Sequence, residues 1–87
     1  MIVIYEKKFL KDLKSFDVLL SKKVIKILNE LKSYEKISDV KNIRKMVGYN
    51  DYYRFRFGEY RIGIKYSDNK IILQRILHGK DIYKIFP

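Results

Sequence analysis

The feature that most constrains the fold is a change in the spacing of the apolar residues near residue 42. From residue 6 to residue 34 they recur every three or four positions, which is typical of one face of an amphipathic helix. This spacing predicts a helix from Glu6 to about Phe16, with its apolar positions at Phe9, Leu10, Leu13 and Phe16. It predicts a second helix, capped by Ser21, with its apolar positions at Val24, Ile25, Ile27, Leu28, Leu31 and Tyr34.

From residue 43 to residue 66 the side chains alternate with a period of two, as they do in strands. Residues 71–77 are apolar on both faces except at Gln74 and Arg75, as in a central strand. We predict strands over residues 43–47, 52–57, 60–66 and 71–77, joined by turns, and a further strand over residues 1–5. We expect residues 36–42 to form a linker or an irregular turn, and Asp81 to cap one helical turn that extends to Phe86. The order predicts an α+β fold with an N-terminal strand, an αα-hairpin, and an antiparallel β-meander packed on the helices. The length predicts a single domain over residues 1–87.

Alternation along the two central strands of the meander separates apolar from basic side chains. We expect one face to meet the helices with its aromatic and aliphatic residues, which are Tyr53, Phe55, Phe57, Tyr60, Ile62, Ile64 and Tyr66. We expect the opposite face to present a basic cluster to solvent, consisting of Arg54, Arg56, Arg61 and Lys65.

The charge of the chain predicts a polyanionic partner. It carries 20 Lys and Arg against 10 Asp and Glu, a formal net charge of +10. Every Arg lies in the second half of a chain that otherwise prefers Lys, and Arg offers a planar fork of donors that matches phosphate. Nucleic acid is the partner that we favour, and an acidic protein is the alternative.

The composition also excludes several kinds of site. The absence of Cys excludes disulfides and thiolate metal sites. The carboxylates of the second half lie scattered at turns, so we expect no metal and no cofactor. No apolar run approaches the roughly 20 residues of a membrane span, and the first five residues lack the basic leader of a signal peptide. We therefore expect a cytoplasmic protein without a membrane partner.

Two stretches of the chain resemble a known family. Residues 53–64 read Tyr-Arg-Phe-Arg-Phe-Gly-Glu-Tyr-Arg-Ile-Gly-Ile, and residues 77–83 read Leu-His-Gly-Lys-Asp-Ile-Tyr. A basic strand, a Gly-Glu-Tyr-Arg hairpin and a last strand that runs into a His- and Tyr-containing tail follow one another here. This order resembles the RelE/ParE superfamily of toxins from bacterial and archaeal type II toxin–antitoxin systems. The helix pair and the length match too, so the resemblance covers the whole chain.

The resemblance implies one of two activities, each silenced by a cognate antitoxin protein. RelE-like members are endoribonucleases that cleave mRNA, at the ribosome or free, whereas ParE-like members inhibit DNA gyrase. We favour the RelE-like activity, with mRNA and the ribosome as partners. The alternatives are a gyrase inhibitor and a degenerate toxin that only binds its antitoxin.

The resemblance also implies roles for individual residues. Arg54 and Arg56 contact RNA, and Arg61 stabilises the reacting phosphate. Proton transfer or base stacking falls to His78 and Tyr83. The other cations of the candidate RNA-binding set are Lys65, Arg75 and Lys80.

Cleavage by the substrate's own 2′-hydroxyl suits such a set, because it needs neither a nucleophilic side chain nor a metal. It requires a base, an acid and cations around the phosphate, so we expect the arginines, His78 and Tyr83 on one face. Many relatives carry Arg directly after the tail His, where this chain has Gly79. Arg75 has a second interpretation, as a core Arg paired with Asp68 or Glu59.

Overall fold

The computed structural model describes all residues from Met1 to Pro87. Strand β1 (Ile2–Tyr5) is followed by helices α1 (Lys7–Leu13) and α2 (Val18–Ser33) and by a 3-10 turn at Ile37–Asp39. Strands β2 (Ile43–Lys45), β3 (Tyr52–Phe57), β4 (Tyr60–Ser67) and β5 (Lys70–His78) come next, and helix α3 (Gly79–Ile85) ends the fold. This order confirms the predicted α+β architecture.

Helix α2 begins earlier than predicted. Its N-cap is Asp17, whose Oδ1 accepts a hydrogen bond of 2.8 Å from the backbone N–H of Leu20. The predicted cap, Ser21, lies within the helix instead. Asp is as effective an N-cap as Ser, and the earlier cap adds a turn whose residues Val18 and Leu19 stay exposed. Because those apolar side chains point to solvent, the apolar spacing alone could not locate this end.

All five strands form one sheet in the order β1-β5-β4-β3-β2. Neighbours from β2 to β5 are antiparallel, as predicted for the meander, whereas β1 pairs with β5 in parallel. Strands β1 and β2 therefore lie at opposite edges, and α1 and α2 carry the chain from one edge to the other. A crossover of this kind is what places helices over a face of a sheet.

One face of the sheet, which we call the core face, packs on the helices. It carries the fully buried Ile62, Ile64 and Leu73, and the helices contribute Phe9, Val24, Leu28 and Leu31 to the same apolar cluster. The alternation in β3 and β4 therefore predicted the buried face correctly. Burying each of these side chains stabilises the fold by about 1.5–3 kcal/mol relative to leaving it exposed.

The opposite face, which we call the cleft face, carries Arg54, Arg56 and Arg61 and is covered in part by α3. The prediction of one helical turn capped by Asp81 is wrong, because α3 starts directly after β5 with His78 as its N-cap. Its buried residue Ile82 and the following Phe86 pack on the sheet. A Cβ added to Gly63 would lie 2.6 Å from the Phe86 ring, so the ring occupies the space that the missing side chain leaves.

The pairing of β4 with β5 contains one irregularity. Ile64 pairs with Leu73 but Ile62 pairs with Ile76, so β5 holds one extra residue at this point. A bulge of this kind shifts the alternation of the bulged strand by one position. The second half of β5 therefore presents its even-numbered residues, Ile76 and His78, to the core face.

No helix of the structure combines the length and the hydrophobicity that crossing a bilayer requires.

Candidate nucleic-acid interface

A cleft of about 490 Å³ lies on the cleft face, between the β2–β4 strands and α3. Four of the five arginines line it, together with one aromatic side chain and no carboxylate, and the full lining is Asn42, Ile43, Arg44, Arg54, Arg56, Arg61 and Tyr83. Guanidinium groups gathered in a concave site raise the local positive potential and favour an anionic ligand.

Strand register brings the arginines together. Arg44 of β2 lies opposite Arg54 of β3, and Arg56 of β3 lies opposite Arg61 of β4. Like charges placed directly across a sheet destabilise it, so this arrangement works against folding. A cluster that opposes stability is what we expect of a surface that serves binding.

Arg44 is a cleft residue that sequence reasoning did not assign to the site. The only signal for it was its membership of the Arg-rich second half. Its place in the cleft follows from the pairing of β2 with β3, which depends on the loop over residues 46–51.

Arg61 is held in place by the hairpin that precedes it. Its Nη1 donates to the carbonyl oxygens of Gly58 at 3.0 Å and Tyr60 at 2.8 Å. Gly58 has a positive φ of 55°, which favours glycine at this turn. The two bonds use Nη1 and leave Nε and Nη2 as donors for a ligand. The prediction that Arg61 points away from the helix-packed core is confirmed.

Tyr83 forms the wall of the cleft that α3 supplies. The Arg54 guanidinium carbon lies 4.4 Å from the centre of the Tyr83 ring, within the range of a cation–π contact. The ring nevertheless remains 67% exposed. Tyr83 is therefore both held by a cleft arginine and accessible to a ligand.

His78 does not join the arginines. It pairs with Tyr60 across the β4–β5 ladder, and the two rings meet edge to face with their centres 5.8 Å apart. Tyr60 also packs on Phe16, which precedes α2, so His78 lies towards the core face. The expectation that it shares a face with the arginines is wrong, because the bulge in β5 turns its side chain to the other side.

Arg75 lies outside the cleft in an ion pair with Asp12 of α1. Its Nε and Nη2 donate to the two Asp12 carboxylate oxygens at 2.8 and 2.9 Å, and the backbone N–H of Ile76 donates to Asp12 Oδ2 at 3.0 Å. The hydrogen bond to Asp12 raises the pKa of Arg75, and the opposing effect of burial is smaller. A paired Arg was one of our two interpretations, but the expected partners Asp68 and Glu59 were wrong.

The remaining predicted cations also lie outside the cleft lining. Lys65 lies on the cleft face of β4, opposite Tyr52, while Lys80 is exposed in the first turn of α3. Gly79, the first residue of α3, donates its backbone N–H to the Glu59 carbonyl oxygen at 2.8 Å. A Cβ at this position would lie 3.6 Å from Arg61 Cζ, an ordinary contact distance. Gly79 therefore faces the Arg61 side chain.

Comparison with known proteins identifies the family. Residues 3–83 match the family described as the ParE toxin of the type II toxin–antitoxin system. The chain is 42% identical to Toxin RelE3 of Methanocaldococcus jannaschii over an alignment of 88 positions, which covers all of both chains. It superposes with a TM-score of 0.80 and 39% identity on a chain of the RelB–RelE antitoxin–toxin complex of Methanococcus jannaschii, covering 97% of this chain and 99% of that one.

A more distant structure has the same fold. It is a chain of the archaeal RelE–RelB complex of Pyrococcus horikoshii, with a TM-score of 0.70 at 21% identity and coverage of 88% and 92% of the two chains. The resemblance read from residues 53–64 and 77–83 is thereby confirmed. The chain belongs to the RelE/ParE toxins of type II toxin–antitoxin systems.

Proposed function

We propose that this toxin is an endoribonuclease that cleaves mRNA, and that the arginine cleft is its active site. The observation that carries the proposal is the convergence of four guanidinium groups and one accessible tyrosine in a cleft lined by no carboxylate. Such a cleft matches a phosphodiester in charge, and its tyrosine matches a nucleobase in shape.

The chemistry needs no group beyond the chain and its RNA substrate. The 2′-oxygen of the RNA attacks the adjacent phosphorus, the bond from phosphorus to the 5′-oxygen breaks, and a 2′,3′-cyclic phosphate and a 5′-hydroxyl result. A base takes the 2′-hydroxyl proton and an acid supplies a proton to the leaving oxygen. Extra negative charge on the phosphate oxygens in the transition state is what the cations stabilise.

We assign the central electrostatic role to Arg61. Its hairpin bonds fix the guanidinium before substrate arrives, so stabilising the phosphate requires little reorganisation. Arg44, Arg54 and Arg56 bind the flanking phosphates and orient the strand. Tyr83 contributes its ring as a stacking surface and its hydroxyl as a proton-transfer group.

The proposal extends to two partners. Two of the structural relatives are toxins in complex with the antitoxin RelB, and by analogy this chain is neutralised by an antitoxin whose acidic groups cover basic surface. The ribosome is the proposed setting for cleavage, because it orients the mRNA and thereby reduces what the protein's own acid and base must supply.

Primer extension on a reporter mRNA tests the activity. Induction of the wild-type chain is expected to arrest growth and to produce discrete cuts, whereas Arg61→Ala does neither although it still folds. Lys22→Ala, which removes an exposed cation of α2 far from the cleft in sequence, serves as the control and retains both effects. Tyr83→Phe, compared with Tyr83→Ala, separates the hydroxyl from the ring.

Inhibition of DNA gyrase is a second candidate, favoured by the ParE description of the matching family. Gly79 also favours it, because the loss of the Arg that the resemblance places there matters less to a protein that only binds its target. Growth arrest with broken DNA and intact mRNA would select it. Harmless expression of the wild type would select a degenerate toxin, and recovery of toxicity by Gly79→Arg would then identify the missing cation as the cause.

A further inference from the structure

We propose that His78 is a positioning residue that holds Tyr83 in the cleft, and that it is not an acid or base of the reaction. The inference rests on the proposed function, because it explains how Tyr83, one of the proposed active-site residues, is oriented. Three sets of contacts carry it: those of the imidazole ring, those of the start of α3, and that between Arg54 and Tyr83.

The hydrogen bonding of the imidazole fixes its role. Nδ1 of His78 accepts the backbone N–H of Lys80 at 3.3 Å, which makes His78 the N-cap of α3. An accepting Nδ1 carries no proton, so the ring proton of the neutral form is on Nε2, which lies 3.6 Å from Glu59 Oε2. Neither of these two contacts is made to a residue that lines the cleft.

The position of the ring separates it further from the reacting phosphate. The imidazole and Tyr60 rings meet edge to face on the core face, whereas Arg61 belongs to the cleft face. A general acid or base must come within hydrogen-bond reach of the proton that it transfers. His78 is not among the residues that line the cleft.

The start of α3 nevertheless controls the cleft. The helix has only seven residues, and isolated helices shorter than about 12 residues are marginal in water, so α3 depends on its contacts. At its start these are the His78 cap and the bond from the Gly79 N–H to the Glu59 carbonyl oxygen. Tyr83 lies one turn beyond, on Arg54. Loss of the cap therefore loosens the first turn of α3, which orients Tyr83.

Two substitutions separate positioning from proton transfer. His78→Asn supplies an amide oxygen that can accept the same backbone N–H, and Asn is among the best N-caps, but it cannot serve as a general base near neutral pH. His78→Ala removes both capacities. We expect single-turnover cleavage of a ribosome-bound reporter mRNA to fall about five- to tenfold in His78→Ala and to stay within about twofold of wild type in His78→Asn.

The pH–rate profile and hydrogen exchange complete the test. The profile of His78→Asn should keep the shape of the wild-type profile, and amide exchange over residues 80–83 should accelerate in His78→Ala but not in His78→Asn. Equal inactivity of both variants, or loss of a limb of the profile in His78→Asn, would overturn the proposal in favour of proton transfer. Full activity of His78→Ala, or unchanged exchange in it, would overturn the positioning role.

A wild-type chain that cleaves no RNA would refute the proposed function, and the exchange measurement would still test the cap. If His78→Ala fails to fold, His78→Asn and His78→Gln provide the comparison. Gln has a similar amide but is a weaker N-cap, so His78→Gln should lose activity and exchange protection that His78→Asn keeps. Equal behaviour of the two amide variants would then contradict the proposal.

Discussion

The two faces of the sheet are formed by alternate residues of the same strands, yet they meet opposite requirements. On the core face, Ile62 and Ile76 lie side by side on β4 and β5 and are fully buried. On the cleft face, Arg56 and Arg61 lie side by side on β3 and β4, with no carboxylate in the cleft that they line. Each apolar contact on the core face stabilises the folded state, whereas the like charges held together on the cleft face destabilise it.

The difference explains how a chain of 87 residues can keep an unfavourable site. A cluster of 11 buried side chains on one side of the sheet supports the strands, so their other side is free to carry charge. Substitutions on the core face should therefore affect stability first, and substitutions in the cleft should affect activity first.

Ile62→Ala should give the largest loss of stability, about 2–5 kcal/mol, because it removes a fully buried side chain at the centre of the core face. Urea unfolding monitored by circular dichroism measures it. Ile62→Val, which deletes one methylene group, is the matched control and should cost about 0.5–1.5 kcal/mol. A loss below 1 kcal/mol for Ile62→Ala would mean that the core face does not carry the stability of the sheet.

Asp12→Asn should cost about 1.5–3 kcal/mol, because it removes the charged partner of Arg75, the one arginine with a carboxylate. The raised pKa of Arg75 fixes the pH dependence. A base whose pKa is raised by folding contributes its full stabilisation below its unfolded pKa and loses it only as pH rises through the folded value.

The difference in unfolding free energy between wild type and Asp12→Asn should therefore stay constant from about pH 7 to pH 10. Urea titrations across that range measure it. A difference that shrinks well below pH 10 would contradict the assignment of this energy to the Arg75 pair.

Gly63→Ala should destabilise the chain by about 1–3 kcal/mol, because the added Cβ would overlap the Phe86 ring. To relieve this overlap α3 must shift, and the shift should also lower cleavage because it moves Tyr83. This substitution should therefore reduce both stability and activity. Gly79→Ala, where the added Cβ meets only ordinary contacts, is the control and should leave stability within about 0.5 kcal/mol. Equal effects of the two would show that α3 does not pack closely on Gly63.

Arg44→Gln should have the smallest effect on stability, and it should increase stability where the other substitutions decrease it. Removing one of two like charges that face each other on β2 and β3 should stabilise the sheet by about 0.2–1 kcal/mol, while RNA binding weakens and its salt dependence decreases. Thermal unfolding and binding at two salt concentrations measure the two changes. Loss of stability without a change in the salt dependence would remove Arg44 from the proposed interface.

The fold was predictable to a large extent because its signals are local. The prediction for β3 matched residue by residue, and the other meander strands differed by one or two residues at their ends. The cleft arginines Arg54, Arg56 and Arg61 were found because alternation within a strand requires no knowledge of its neighbours. The cap of α2 was misplaced because Asp17 and Ser21 offer the same chemistry.

Other features of the site were beyond the reach of local patterns. Alternation without interruption would place His78 with the arginines, but the extra residue between Leu73 and Ile76 reverses it. Arg75 finds Asp12 only because β1 ends at the residue that pairs with Leu73, and α1 covers the rest of the β5 edge. Each outcome depends on a pairing between segments that are far apart in the chain.

The sequence by itself determined the first two helices, the strands, the basic face of the sheet and the resemblance to the family, since spacing, charge and motif are properties of consecutive residues. Only the tertiary structure decided that the basic face is a cleft. Helix α3 folds back over Gly63, seats Phe86 where a side chain is missing and sets Tyr83 against Arg54. The physical reason is that a short helix acquires its position from the surface on which it packs, and that surface exists only once the sheet has formed.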